Sequence, residues 1–203
     1  MKKANNTVFA TLFAMAVLQL MPLDTVWAAL PSHDRVRILQ SARAISDAEL
    51  IDQNGEPFAL SQLQGQVVLV FFGFTNCPDV CPIALQSLRQ LAESGEPKLK
   101  DVAYVMISVD GERDTPEVLK SYLAKYSPRF IGLTGEKTKV KAIAAEFKAA
   151  FFKGSGENYS VSHSPQVFVV DPAGRLRAEF YSASVEAMTD VTLALLEEAE
   201  TRD

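Results

Sequence analysis

Val67-Val68-Leu69-Val70-Phe71-Phe72-Gly73-Phe74-Thr75-Asn76-Cys77-Pro78-Asp79-Val80-Cys81-Pro82 is an apolar run that breaks into a polar turn carrying both cysteines of the chain. The six residues Val67 to Phe72 are apolar on both faces, which is the pattern of a buried central strand. From Pro82 onward, Ile83, Leu85, Leu88 and Leu91 fall close to one helical stripe. The dithiol is therefore held where a strand becomes a helix.

A disulfide that only staples the fold would gain little here. A crosslink spanning about five residues removes roughly 2 kcal/mol of unfolded-state freedom, less than a longer loop gives. A chain with a single pair of thiols would staple distant segments more effectively, so the spacing favours a redox or metal-binding role. With Cys77 in the loop and Cys81 on the first helical turn, both sulfurs can face one side. The helix N-terminus is expected to lower the thiol pKa values. The extra residue relative to a Cys-x-x-Cys pair widens the loop and suits chelation without excluding thiol exchange.

Two thiolates make a soft but incomplete site, and one imidazole would complete it for Cu(I) or Cu(II). His163 is the candidate, because Ser162-His163-Ser164-Pro165 lies just before the apolar strand Gln166 to Val170. His33, in a charged leader, reads as a solvated tail residue.

Working outward, Asp52-Gln53-Asn54-Gly55 is a turn signal between Glu49-Leu50-Ile51 and Pro57-Phe58-Ala59-Leu60, which predicts a small hairpin. Strands are expected over Val102 to Val109, Phe130 to Leu133 and Arg175 to Tyr181, the last turned back by Asp171-Pro172-Ala173-Gly174. Thr115-Pro116-Glu117 opens a helix with Thr at the N-cap and Pro at the first helical position, and Val118, Leu119, Tyr122 and Leu123 form its apolar face. Further helices are expected around Val140 to Phe147 and from Val185 to about Glu200, and Lys153 to Ser160 reads as a flexible polar loop. Strands alternating with helices and ending in a hairpin plus helix make an α/β sandwich with a mixed sheet.

At 203 residues and 48% hydrophobic content, the chain is sized for one domain. Lys2 and Lys3 precede the mostly apolar stretch Val8 to Met21, and Val26-Trp27-Ala28 resembles a signal-peptidase site. Residues 1–28 are thus expected to be a secretory signal or an uncleaved anchor, 29–45 a leader, and 46–203 the functional domain. No cysteine lies near the cleavage point, which argues against a lipoprotein anchor. Loss of residues 1–28 takes the net charge from −5 to −6, so the domain is a poor nucleic-acid binder. The expected location is the periplasm, soluble after cleavage or anchored to the inner membrane. In an oxidising compartment an idle dithiol tends to oxidise, so a thiol reductant is an expected partner.

The blocks Gly73 to Pro82, Ile107-Ser108-Val109-Asp110-Gly111-Glu112-Arg113-Asp114-Thr115-Pro116-Glu117, and Ser162-His163-Ser164 followed by Val169-Val170-Asp171-Pro172 closely resemble the Sco/SenC family of copper chaperones. The resemblance runs from about Leu50 to the C-terminus. It implies a thioredoxin-like α/β fold, with a mixed central sheet flanked by helices and an N-terminal hairpin. It also implies copper held by Cys77, Cys81 and His163, and delivery of that copper to the CuA centre of cytochrome c oxidase or to another exported acceptor. Asp79 then neighbours the ligands or is exposed. Arg113 and Asp114 either steer a partner or form an internal pair that fixes their loop.

Three positions depart from the family habit. Ser162 stands where the family usually has Asp, removing a carboxylate that would orient the ring or contact a partner. Gly111 replaces a usual proline. Pro165 occupies a place where thioredoxin-like reductases carry a cis-proline, so the Ser164-Pro165 bond is expected to be cis, with His163 brought over the dithiol. This keeps a second reading open, an exported thiol:disulfide oxidoreductase acting on the cysteines of a metal acceptor. A peroxidase reading would leave the second cysteine and His163 unexplained.

Overall fold

The apolar run becomes strand β4 (Val68–Gly73), and every one of its six residues is buried. Its neighbour β5 (Ala103–Ser108) is equally buried and runs parallel to it, pairing Val68 with Ala103 through Gly73 with Ser108. A strand with no exposed position is covered on both faces, so these two form the centre of the sheet. A computed structural model describes residues 35–156 and 159–201 of the chain. The expected signal segment and His33 lie outside the described residues.

The remaining strands are β1 (Val36–Ala44), β2 (Leu50–Asp52), β3 (Pro57–Phe58), β6 (Phe130–Thr134), β7 (Phe151–Lys153), β8 (Val161–His163), β9 (Val167–Val170) and β10 (Arg175–Phe180). Six of them join β4 and β5 in one mixed eight-stranded sheet in the order β1-β10-β9-β4-β5-β6-β2-β3, and β7 pairs with β8 in a separate two-stranded sheet. β6 continues the parallel set beside β5, whereas β9 is antiparallel to β4. The expected hairpin is β2 with β3, antiparallel, with Leu50 opposite Phe58.

Among the described residues four α-helices flank the sheet: α1 (Val80–Ala92), α2 (Pro116–Leu123), α3 (Lys137–Glu146) and α4 (Val185–Glu200). α2 starts as expected, with the Thr115 side chain accepting from the Val118 amide. α4 is capped in the same way, Ser184 accepting from Ala187. Each cap satisfies an amide that the first helical turn leaves unpaired. α1 buries Cys81, Leu85, Leu88 and Leu91 and packs on α4.

Several expectations are corrected. The segment read only as a leader contains β1, which pairs antiparallel with β10 and is interrupted by a register shift between Ile38 and Arg43. Its burial is patchy, which is why no clean alternation announced it. The loop expected from Lys153 begins inside β7, and the residues before and after it fold back as a hairpin. Ile83 and Val118 point outward instead of joining the helix stripes: they are 59% and 39% exposed. No peptide bond among the described residues is cis, so Ser164-Pro165 is trans.

Because successive residues of a strand face opposite sides, β4 divides its aromatics. Phe72 enters a core cluster, with edge contacts to Phe147 and Phe168 at centroid distances of 5.4 and 5.9 Å. Phe71 faces the other way, toward α1 and the end of β8.

Candidate metal centre

Cys77 lies in the turn after β4, its amide donating to the Phe74 carbonyl at 3.3 Å. Cys81 is the second residue of α1 and is fully buried, while Cys77 retains 9% exposure. Both are free thiols. Gly73 makes room for them. A Cβ at that position would lie 2.6 Å from Phe71 Cε1 and 3.0 Å from Cys81 Sγ.

His163 ends β8 and reaches across to Cys81, with Nε2 3.2 Å from Sγ. Its other nitrogen, Nδ1, lies 2.9 Å from the Ser164 carbonyl oxygen. A carbonyl only accepts, so Nδ1 carries the proton and Nε2 presents a lone pair to the sulfur. Phe71 and Phe74 close on the imidazole edge to face, at centroid distances of 5.6 and 5.7 Å. The ring is thus fixed by one hydrogen bond and two aromatic walls.

One donor atom from each of Cys77, Cys81 and His163 lies within 4.8 Å of the other two. Twice a metal–sulfur bond of about 2.3 Å is nearly this separation, so a single ion can reach all three with movements of tenths of an ångström. Two sulfurs and one imidazole nitrogen are soft and borderline donors, the set that suits copper. Carboxylates are not among the three, which disfavours hard cations.

Burial decides the electrostatics. It pushes the Cys81 thiol well above its ordinary pKa, opposed in part by a hydrogen bond from the Phe74 backbone and reinforced by the neighbouring Cys77. The expected lowering by the helix N-terminus is therefore overridden at Cys81, and the thiol keeps its proton, directed at His163 Nε2. Burial also moves His163 below the ordinary imidazole value, offset in part by its bond to Ser164. The ring stays neutral and available as a ligand.

The other singled-out residues fall into two groups. Asp79, Ser162 and Pro165 are exposed. Asp79 caps no amide of α1 with its side chain. Arg113 and Asp114 do not pair with each other. Arg113 Nε donates to Asp110, and the fully buried Asp114 accepts from the Thr75 amide at 3.0 Å, the Thr75 hydroxyl at 2.6 Å and the Ser108 hydroxyl at 2.6 Å. Asp114 has no surface to offer a partner, and it anchors the cysteine turn instead. Sequence reasoning missed Gly73, the two aromatic walls, and the residues Asp110, Lys153 and Tyr159 around the histidine arm. A tyrosine inside a Gly- and Ser-containing polar segment was the available signal for the last.

A thioredoxin-like sheet whose strand-to-helix turn and neighbouring hairpin converge two thiols and an imidazole defines a class of metal-binding proteins. Residues 37–197 match the SCO1/SenC family, and the chain belongs to it. It is 40% identical over 139 residues to the SCO2-like protein of Rickettsia felis, an alignment spanning 66% of this chain and 68% of that one. Among solved structures it resembles Bradyrhizobium japonicum ScoI with copper bound, at 28% identity and TM-score 0.69 over 75% of this chain and 99% of that one. Yeast Sco1 with copper bound matches at 29% identity and TM-score 0.69, covering 79% of this chain and 93% of that one.

Proposed function

We propose that this protein binds one copper ion through Cys77 Sγ, Cys81 Sγ and His163 Nε2, and hands it to the CuA site of cytochrome c oxidase or to another exported copper acceptor. The carrying observation is the convergence of these three donor atoms within 4.8 Å. Family membership and the copper-bound relatives support it.

The chain's own residues supply three things. Cys81 releases its proton when copper enters, so loading is coupled to proton release. Ser164 holds the imidazole in the tautomer that offers Nε2. Cys77, on the turn and less buried than Cys81, is the ligand an incoming acceptor thiolate reaches first, so transfer by ligand exchange starts there. The signal-like residues 1–28 support a reading in which this exchange takes place outside the cytoplasm, with the protein either free or tethered. Among the described residues no helix is long and apolar enough to cross a membrane.

The oxidoreductase reading loses its main motivation, since Ser164-Pro165 is trans. Copper analysis of anaerobically reduced protein is expected to give one ion per chain. The Cu(II) form should show nitrogen coupling in electron paramagnetic resonance that disappears in His163→Ala. Absence of tight copper, or coupling that persists in that variant, overturns the ligand set.

A further inference from the structure

The hairpin that carries His163 stands outside the main sheet. It is closed on itself by Ser164 N donating to Ala150 O at 2.8 Å and by Gly154 N donating to Ser160 O at 2.9 Å. Beside the contacts of His163 itself and a Lys153–Glu112 ion pair at 2.6 Å, its polar attachment to the body centres on one buried carboxylate. The Tyr159 hydroxyl donates to Asp110 Oδ1 at 2.6 Å, and Lys153 Nζ lies 3.3 Å from the same oxygen. Arg113 pairs with the other carboxylate oxygen. Lys153 Nζ and Arg113 Cζ both lie against the Tyr159 ring, 3.9 and 4.1 Å from its centroid.

Asp110 begins a stiff loop. Its carbonyl accepts from the amides of Arg113 and Asp114, both at 3.0 Å, and its own amide donates to the Ser108 hydroxyl. Asp114, at the far end of that loop, grips Thr75, two residues before Cys77. One five-residue loop thus holds the imidazole arm at its first residue and the thiol arm at its last.

We propose that Asp110 and Tyr159 are positioning residues that, through this loop, set the distance between His163 and the dithiol and so tune the nitrogen contribution to copper binding. The inference rests on His163 being a ligand and assigns roles beyond the three donors. Neither residue touches the metal site. Tyr159 acts four residues before His163 along the same hairpin, and its hydroxyl is the part that matters, because the ring is already held by two cations.

Tyr159→Phe removes only that hydroxyl. Outer partners of metal ligands typically contribute about 10–100-fold in affinity, so the variant should bind Cu(II) about tenfold more weakly, with broadened nitrogen coupling in electron paramagnetic resonance. Cu(I) affinity, dominated by the sulfurs, should change much less. In a His163→Ala background, adding Tyr159→Phe should have no further effect on Cu(II) affinity. Equal losses in both backgrounds would mean a general structural role and overturn the proposal.

A metal-free readout separates this inference from the ligand assignment. In apo protein labelled with ¹⁵N at histidine, the His163 ring resonances should shift or broaden in Tyr159→Phe and in Asp110→Asn. Unchanged ring resonances overturn the positioning role whatever copper does. If His163→Ala leaves Cu(II) binding intact, it is the ligand set that fails.

Discussion

The two ends of the β4–β9 pair treat buried polar groups in opposite ways. Val170 lies opposite Val68, so Asp171 sits where β4 begins, whereas Gly73 and the thiols sit where it finishes. At the first end, the Asp171 carboxylate is saturated: it accepts from the amides of Ala173 and Arg175, from Arg175 Nε and NH2 groups at 2.9 and 2.7 Å, and from Arg177 at 3.1 Å. At the other end, Cys81 and His163 satisfy each other through one sulfur–nitrogen contact at 3.2 Å. A saturated buried group stabilises the fold and can do nothing else. An undersaturated cluster gives up stability and keeps lone pairs for a metal.

The comparison breaks most readily at the sulfurs. Cys81→Ser keeps the size and the hydrogen bond to His163 but replaces a soft donor with a hard neutral one. Copper affinity should fall by more than the roughly 100-fold that outer partners can cost, with unfolding little changed. Copper titration alongside chemical denaturation measures both. Retained tight binding would mean that the open end owes its chemistry to other atoms.

The opposite pattern is expected at the saturated end. Asp171→Ala removes a buried carboxylate shared by Arg175, Arg177 and two amides, and because Arg175 is one-third exposed and stays solvated, the loss is that of hydrogen bonds to a charged group, about 1.5–3 kcal/mol. Copper stoichiometry should be unaffected. The arginine and amide bonds outweigh the burial penalty and hold the Asp171 carboxyl below its ordinary pKa. A carboxyl depressed on folding contributes in full above the unfolded value of about 3.9 and is lost as pH falls through the lower folded value. The stability gap between wild type and Asp171→Asn should therefore narrow below about pH 4. An acid-denaturation series whose gap is constant there would remove Asp171 from the account.

How much of this was legible beforehand follows the range of each interaction. Strands β4, β5 and β9, the Thr115 cap and the placement of Cys77 and Cys81 are written in local patterns of apolarity and turn chemistry. β1 escaped because an edge strand with intermittent burial shows no period, and three-residue strands such as β7 and β8 show none either. Proximity of His163 to the thiols was expected through a cis-proline. It arises instead from the β7–β8 hairpin, which places Phe151 opposite His163. The raised Cys81 pKa was missed because burial is a property of the packed molecule, whereas a helix N-terminus can be read from the chain.

A smaller effect tests the space around the open end. In Gly73→Ala the new methyl must displace Phe71 or Cys81 Sγ, its nearest neighbours. Overpacking of this kind costs about 1–3 kcal/mol, and because one displaced atom is a proposed ligand, copper affinity should drop in the same variant. Lost stability with unchanged affinity would show that Phe71 yields alone and that the sulfur position tolerates crowding.

The smallest expected effect concerns Ser162, where the family's usual aspartate is absent. Alternation along β8 turns Ser162 away from the face that carries His163, and Ser162 is exposed beside the 71% exposed Phe152. The ring needs no carboxylate to orient it, because the Ser164 carbonyl already holds Nδ1 at 2.9 Å. Ser162→Asp should therefore change copper affinity by no more than about twofold, the scale of a surface substitution within about 0.5 kcal/mol. An added rim charge acts instead on encounter, so its effect should appear in the rate of copper transfer to an acceptor and should fade as salt rises. A tenfold change in equilibrium affinity, insensitive to salt, would show that Asp at this position reaches the ring and that the Ser164 bond is not what fixes it.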